Sequence, residues 1–232
     1  MGKINTSFGV YKYQEKLLYL GKKKINKDVS RRNLIIFKRI LDASGIKFGL
    51  LYGTLLGAVR EGDFIGHDED IDLFILAENF KLFLDLLFVL NEEGFNVARF
   101  DEGGFLSLSR DNEYIDIYFF HSYNKIFRNC CGHLLPDKFL TDLDELPFLG
   151  KTFYAPRHYI EFFEFEYGCH WKIPKEYKQS SFDIFLSQIR TIVKIITPPV
   201  IKKIILKVIK QKRLNNSLSK LKKHGYLMPT EN

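Results

Sequence analysis

In the segment "LLYGTLLGAVREGDFIGHDEDIDLFIL", Leu50 to Leu76, five carboxylates, Asp63, Asp68, Glu69, Asp70 and Asp72, fall within eleven residues near the end of a largely apolar run. Like charges crowded beside a strand repel one another, and a bound cation offsets that repulsion. Side chains of an extended strand alternate between faces, so Asp70 and Asp72 project to one side, ~6 to 7 Å apart, while Ile71 and Leu73 point into the core. Two carboxylates so placed can converge on one Mg²⁺ or Mn²⁺. Asp116 repeats the pattern between Ile115 and Ile117 in "YIDIYFF", and a neighbouring strand would bring it to the same side as a third ligand or a general base. Hard oxygen donors of this kind select hard cations. Asp68 shares the parity of the pair but precedes the strand, and Glu69 points the other way. Taken alone, an Asp-x-Asp pair is equally a solvated strand edge.

A glycine element upstream shifts that balance. In "YGTLLGAVR", Gly53 lies between a strand and a short helix, so backbone can approach a ligand closely. Thr54 and the amides after it open a helix N-terminus, whose partial positive charge suits a phosphate. Arg60 adds a cation in the same helix. Phosphate held by backbone amides and bridged by a divalent ion to aspartates is equipment for phosphoryl transfer, where catalysis is chiefly positioning and charge stabilisation.

The surrounding pattern supplies the elements that must position these groups. "DVSRRNLIIFKRILDASG" has Leu34, Phe37, Ile40 and Leu41 at helical spacing, with Asp28 or Ser30 as N-cap and Gly45 as stop. "IKFGLLY" reads as a strand, "TLLGAVR" as a helix, "DIDLFIL" as a strand and "ENFKLFLDLLFVLNEEG" as one helix. "FNVARF", "GFLSLS" and "YIDIYFF" are strand-like runs separated by turns. An α+β fold follows, a mixed β-sheet with helices packed against one face. Residues 121–147 show no clean period, "PRHYIEFFEFEYG" is helical in pattern, and "SFDIFLSQIRTIVKIIT" is a further helix stopped by Pro198 and Pro199.

The 232 residues, 46% hydrophobic and 15% aromatic, suit a single globular domain with appendages. No run approaches the ~20 apolar residues of a membrane span, and no signal-peptide core opens the chain, so a cytoplasmic location is expected. Cys130, Cys131 and Cys169 make no disulfide framework, and with His133 and His170 they lack the spacing of a zinc site. The net charge of +7 sits at the ends: a basic segment over 1–32, an acidic middle over 33–197 and a basic tail over 198–232. A main fold that tracked nucleic acid would carry its positive charge centrally, so nucleic acid is not an expected partner. In the tail, Ile201, Ile204, Ile205 and Val208 share a helical stripe and Lys203, Lys207 and Lys210 another, the pattern of a helix lying on an anionic membrane surface.

A strand ending in Gly-Thr, a short helix, Asp-x-Asp on the next strand and a later single Asp resembles the nucleotidyltransferase superfamily. The fuller string "YGTLLGAVREGDFIGHDEDIDLFI" resembles one branch, the LicD family of phosphocholine transferases, which includes the fukutin-related ribitol-phosphate transferases. "LPFLGKTFYAPRHYIEFFEFEYGCHWKIP" is similar to that family's second block, so the likeness runs from about Ile46 to Pro174. His67 stands where the family often has Trp, and Glu69 replaces a common Asp.

The resemblance implies a nucleotidyltransferase-like fold, phosphate contacts from Gly53 and Thr54, metal ligation by Asp70 and Asp72, and Asp116 as the third acid. It further implies that a glycan hydroxyl, on a lipid-linked acceptor, attacks the phosphorus of a CDP-activated donor and CMP leaves. Phosphocholine is the head group expected first, with Trp171, Tyr167 and Tyr154 as aromatic faces for its ammonium and Trp171 foremost. Phosphoribitol and phosphoglycerol are the alternatives. Transfer of a nucleoside monophosphate from an NTP, and a non-catalytic basic binder, are the competing readings.

Overall fold

The computed structural model describes residues 1–16, 24–174 and 198–227. Strands β1 (Gly2–Thr6) and β2 (Gly9–Tyr13) form an antiparallel hairpin. Helix α1 (Lys27–Ser44) follows, then β3 (Phe48–Leu50), α2 (Tyr52–Arg60) and β4 (Ile71–Leu76). Two short helices, α3 (Phe80–Asp85) and α4 (Leu87–Glu92), lead to strands β5 (Asn96–Asp101), β6 (Phe105–Arg110) and β7 (Glu113–Ser122). Strands β8 (Phe127–Cys130) and β9 (His133–Pro136), helix α5 (Lys138–Thr141), strands β10 (Leu143–Phe148) and β11 (Lys151–Pro156), and helices α6 (Tyr159–Tyr167) and α7 (Pro199–Lys223) complete it.

The main sheet runs β10-β11-β3-β4-β7-β6-β5, with β8 and β9 attached to the end of β7. Pairs β4–β7 and β11–β3 are parallel and the others antiparallel, so the sheet is mixed and the fold is α+β. Its apolar face carries Ile71, Leu73, Ile75, Ile115, Ile117 and Leu108, all buried. Phe37 of α1 packs there against Phe48, Phe83 and Phe95, closing the core between α1 and the α3–α4 pair. The opposite face carries the acids, and it too is partly covered. Phe162 of α6 packs on Tyr52, and Tyr52 on Tyr118, so helices lie on both sides rather than one.

Several local expectations are corrected. Helix α1 starts earlier than expected: Asn26, two residues before Asp28 and four before Ser30, accepts the Val29 N–H and caps it, whereas Gly45 stops it as expected, at φ 74°. The single helix expected over 78–94 is broken at Leu86. Strands occupy the stretch without clear period, because β8, β9 and β10 are short and mix polar with apolar positions. The helix expected over residues 182–197 lies outside the described residues. Nor is the tail a separate unit throughout. Leu221 is fully buried, Ser217 Oγ accepts the Leu134 N–H at 3.2 Å, and a Cβ on Gly132 would stand 2.4 Å from the Lys210 carbonyl oxygen. Only glycine lets α7 backbone approach that turn so closely.

A candidate active site on the acidic face of the sheet

Alternation along two parallel strands builds the centre of the site. Strands β4 and β7 pair with Asp72 opposite Asp116, so both carboxylates stand on the face away from the isoleucine core. Asp70 precedes the first residue of β4 and lies within hydrogen-bonding reach of Asp116. Asp68 completes the group from the loop. The sequence-predicted acids are therefore brought together.

Each acid already has protein partners. Asp72 Oδ2 accepts the Gly53 N–H at 3.2 Å and Oδ1 accepts the Tyr118 hydroxyl at 3.2 Å. Asp116 accepts two contacts from Arg99 Nη2, at 2.8 and 3.1 Å, and the Ser107 hydroxyl. Asp68 accepts the Glu69 N–H at 3.1 Å. Among the described residues no three His, Cys, Asp or Glu side chains are already drawn together as a metal-binding group.

The electrostatics nonetheless favour a cation. Burial, then the charges of Asp116 and Asp68, push the Asp70 carboxyl up to about 8. Burial and the neighbouring Asp70, Asp68 and Asp116 hold Asp72 well above the usual carboxylate range, against the Tyr118 hydrogen bond. Burial raises Asp116 as well, opposed by Arg99 and Ser107. Buried oxygen donors whose ionised form is penalised by one another fit a hard divalent ion, since its charge removes the penalty. Asp70 and Asp72 would hold it, with Asp116 beside them as a third ligand or as a base.

Helix α2 approaches this group end-on. Gly53 makes room there for the Asp68 carboxylate: an added Cβ would stand 2.2 Å from Asp68 Oδ2 and displace that side chain. The close approach enabled by this glycine is thus to Asp68, and its N–H is spent on Asp72. Thr54 is fully buried, and its Oγ1 accepts the Asp72 N–H at 2.8 Å. Its hydroxyl is directed at the backbone of the acidic strand. Tyr52, at the helix start, adopts φ 40°, a region that bulky residues rarely occupy.

Beside the acids lies a cavity of about 330 Å³, of a size suited to small ligands, lined by Gly53, Arg60, Asp68, Tyr167 and Trp171 among others. Arg60 reaches it while pairing with Glu61 at 2.6 Å. Trp171 contributes little surface, being 8% exposed and packed with its ring centroid 4.7 Å from that of Phe163. Tyr167 lines the cavity. Tyr154 does not; it sits at another hollow beside Lys47.

Spacing alone missed Arg99, Ser107 and Tyr118. Tyr118 carried a signal, since it shares the parity of Asp116. Ser107 carried one only once the strand pairing was known, because it sits opposite Asp116 in the β6–β7 register.

Residues 45–158 match the family model described as LicD/FKTN/FKRP, nucleotidyltransferase domain. The match includes every acid of the site and ends before Trp171. Human ribitol 5-phosphate transferase FKRP is 33% identical over 143 residues, 56% of this chain and 29% of that protein. Human ribitol-5-phosphate transferase FKTN is 27% identical over 150 residues, 59% of this chain and 32% of that protein. The matched stretch spans only 29% to 32% of the length of these curated relatives. The solved structure of the antibiotic-resistance factor ANT(2'')-Ia superposes with a TM-score of 0.48 at 12% identity, over 86% of this chain and 98% of that one.

Proposed function

We propose, on the premise that the chain carries a LicD/FKTN/FKRP nucleotidyltransferase domain over residues 45–158, that it transfers a phospho-head group from a CDP-activated donor to a glycan hydroxyl. The observation that supports this best is the register of Asp72 against Asp116 beside the Gly53 end of α2. Such a centre can hold a diphosphate and take up an acceptor proton.

In this reading the acceptor oxygen attacks the phosphorus bearing the head group, the bond from that phosphorus to the CMP oxygen breaks, and the hydroxyl proton passes to the Asp116 carboxylate. Asp116 suits the task because burial raises its proton affinity, and a base works best with a pKa near the operating pH. A divalent ion such as Mg²⁺ on Asp70 and Asp72 supplies charge neutralisation of the diphosphate when bound. Thr54 fixes the Asp72 backbone, and Tyr118 orients its carboxylate. Arg60 adds positive charge at the cavity wall.

The cavity favours a polyol phosphate over phosphocholine. Trp171 offers little free face, and Lys172 Nζ lies 5.5 Å from its ring centroid, where it competes with any ligand ammonium. Asp68, His67, His170 and Tyr167 offer hydrogen bonds to hydroxyls. The relatives named as ribitol 5-phosphate transferases support the same head group. Phosphocholine remains the second reading, carried by Tyr167 beside Asp68 in that cavity.

The acceptor is proposed to be lipid-linked, with α7 resting at an anionic membrane surface. No helix among the described residues is long and apolar enough to cross a membrane. The reaction is tested by incubating the protein and Mg²⁺ with CDP-ribitol, CDP-glycerol, CDP-choline, CTP or ATP and a glycan acceptor. CMP release with a matching acceptor mass increment, greatest for a CDP-alditol, is expected. Turnover confined to CTP or ATP would replace this reaction with nucleotidyl transfer.

A further inference from the structure

Arg99 reaches the acidic face through a defect in strand pairing. Simple alternation places Val97 and Arg99 on one side of β5, yet the register skips Ala98: Val97 pairs with Leu108 and Arg99 with Ser107. The extra residue reverses the parity, sending Val97 into the core and Arg99 to the side of Ser107 and Asp116. Bulges that re-aim a side chain in this way are over-represented next to active sites. The Ala98 carbonyl accepts the Lys16 N–H at 2.9 Å, which holds the irregular backbone in place.

The guanidinium is poorly used where it rests. Nη2 makes both contacts to Asp116, while Nε is buried without a hydrogen-bond partner among the described residues. A buried donor left without a partner is destabilising, and a ligand oxygen would satisfy it. A planar fork suited to two-point recognition is here engaged through one nitrogen. Its carbon Cζ lies 4.9 Å from the Phe105 ring centroid, a platform that holds the plane. The Arg99 side chain is 35% exposed against 5% for Asp116, so it is the cationic member that reaches the open side of the group. Its charge also bears on Asp70. Arg60, the cation singled out by sequence, is tied to Glu61 instead.

We propose that Arg99 is a phosphate-binding residue of this site, parked on Asp116 in the ligand-free enzyme and turning to grip the non-bridging oxygens of a diphosphate when one enters. This deepens the phosphotransferase reading and rests on it for the identity of the ligand. The exchange frees Asp116 for the acceptor proton and gives both ends of the guanidinium fork an oxygen partner. Charge and geometry both matter, so lysine replaces arginine only in part.

The probe is inorganic pyrophosphate, titrated calorimetrically with saturating Mn²⁺ into the parent protein, Arg99→Lys and Arg99→Gln, with folding checked by circular dichroism. Arg99→Gln is expected to weaken binding at least 30-fold and Arg99→Lys by 3- to 10-fold, with CMP release falling in the same order. Pyrophosphate affinity in both variants within twofold of the parent, or no measurable binding by the parent, overturns the assignment; should Arg99→Gln not fold, Arg99→Lys alone decides on the same criterion. A parent protein that binds pyrophosphate in an Arg99-dependent way, yet releases no CMP from any CDP-linked donor, supports the phosphate site and refutes the proposed reaction.

Discussion

Asp72 and Asp116 face each other in register across the parallel β4–β7 pair, and each is anchored by a different part of the chain. Asp72 is held by the start of α2 and by Tyr118; Asp116 is held by β5 and β6 through Arg99 and Ser107. The two acids therefore report on separate elements. A displacement of α2 moves one, and a slip of the β5–β6 register moves the other.

Buried acids crowded in this way make stability depend on pH. The Asp70 carboxyl is raised to about 8, against ~3.9 in an unfolded chain, so between those values the folded state binds more protons. The sign follows: in metal-free buffer stability falls as pH rises from about 4 to about 8 and levels off above. Mg²⁺ should reverse the loss at pH 8 by pairing the ionised acids. Asp70→Asn should flatten the pH profile, raise Tm in metal-free buffer at pH 8 by at least about 4 °C, and lower turnover at least 1000-fold. Scanning calorimetry of both proteins at pH 5 and 8 with EDTA is the check. A parent Tm that rises over that interval would contradict the assignment.

Thr54 separates what spacing shows from what packing adds. Its place after Gly53 suggests a phosphate contact, whereas its hydroxyl accepts the Asp72 N–H from a fully buried position. Thr54→Val should keep the shape and leave that buried amide unpaired, costing about 1–3 kcal/mol. Turnover should fall through kcat, because Asp72 shifts, with donor KM little changed. Thr54→Ser should restore most of both. A Thr54→Val enzyme with unaltered Tm and a raised donor KM would return Thr54 to the phosphate.

The acids were legible in sequence because period-2 alternation survives on either side of each. Ile71 and Leu73 bracket Asp72, Ile115 and Ile117 bracket Asp116, and the core face could be read directly. Helix α1 was legible for the same reason at its own period. Arg99 was not, because one extra residue at Ala98 reverses parity and leaves no trace in composition. The hairpin β1–β2 was hidden inside a basic segment. Its Ser7 N–H bonds Asp85 and Tyr11 packs on Phe88, contacts that only tertiary structure brings together.

The tail carries the last prediction, and its two halves behave differently. From Lys210 onward α7 is docked: Lys210 pairs with Asp101 at 2.6 Å, Lys220 with Glu166 at 2.9 Å, and Leu221 is fully buried. Before that point Ile201, Ile204, Ile205 and Val208 are exposed, Ile204 at 59% and Val208 at 63%. Aliphatic side chains standing in water beside lysines suit the head-group region of an anionic bilayer, where each basic residue contributes about 1 kcal/mol. Because Lys210 is paired to Asp101, Lys207 should carry more of the lipid attraction than Lys210. The protein is expected to co-sediment with phosphatidylserine-containing vesicles in 50 mM salt and to be released by 500 mM. Ile204→Glu with Val208→Glu should abolish co-sedimentation and leave turnover on a soluble acceptor within twofold. Truncation after Thr197 is a poorer test, since it strips Leu221 and Ser217 from the domain they cover. Parent protein that stays in the supernatant at low salt, or a double variant that still sediments, would remove the membrane role.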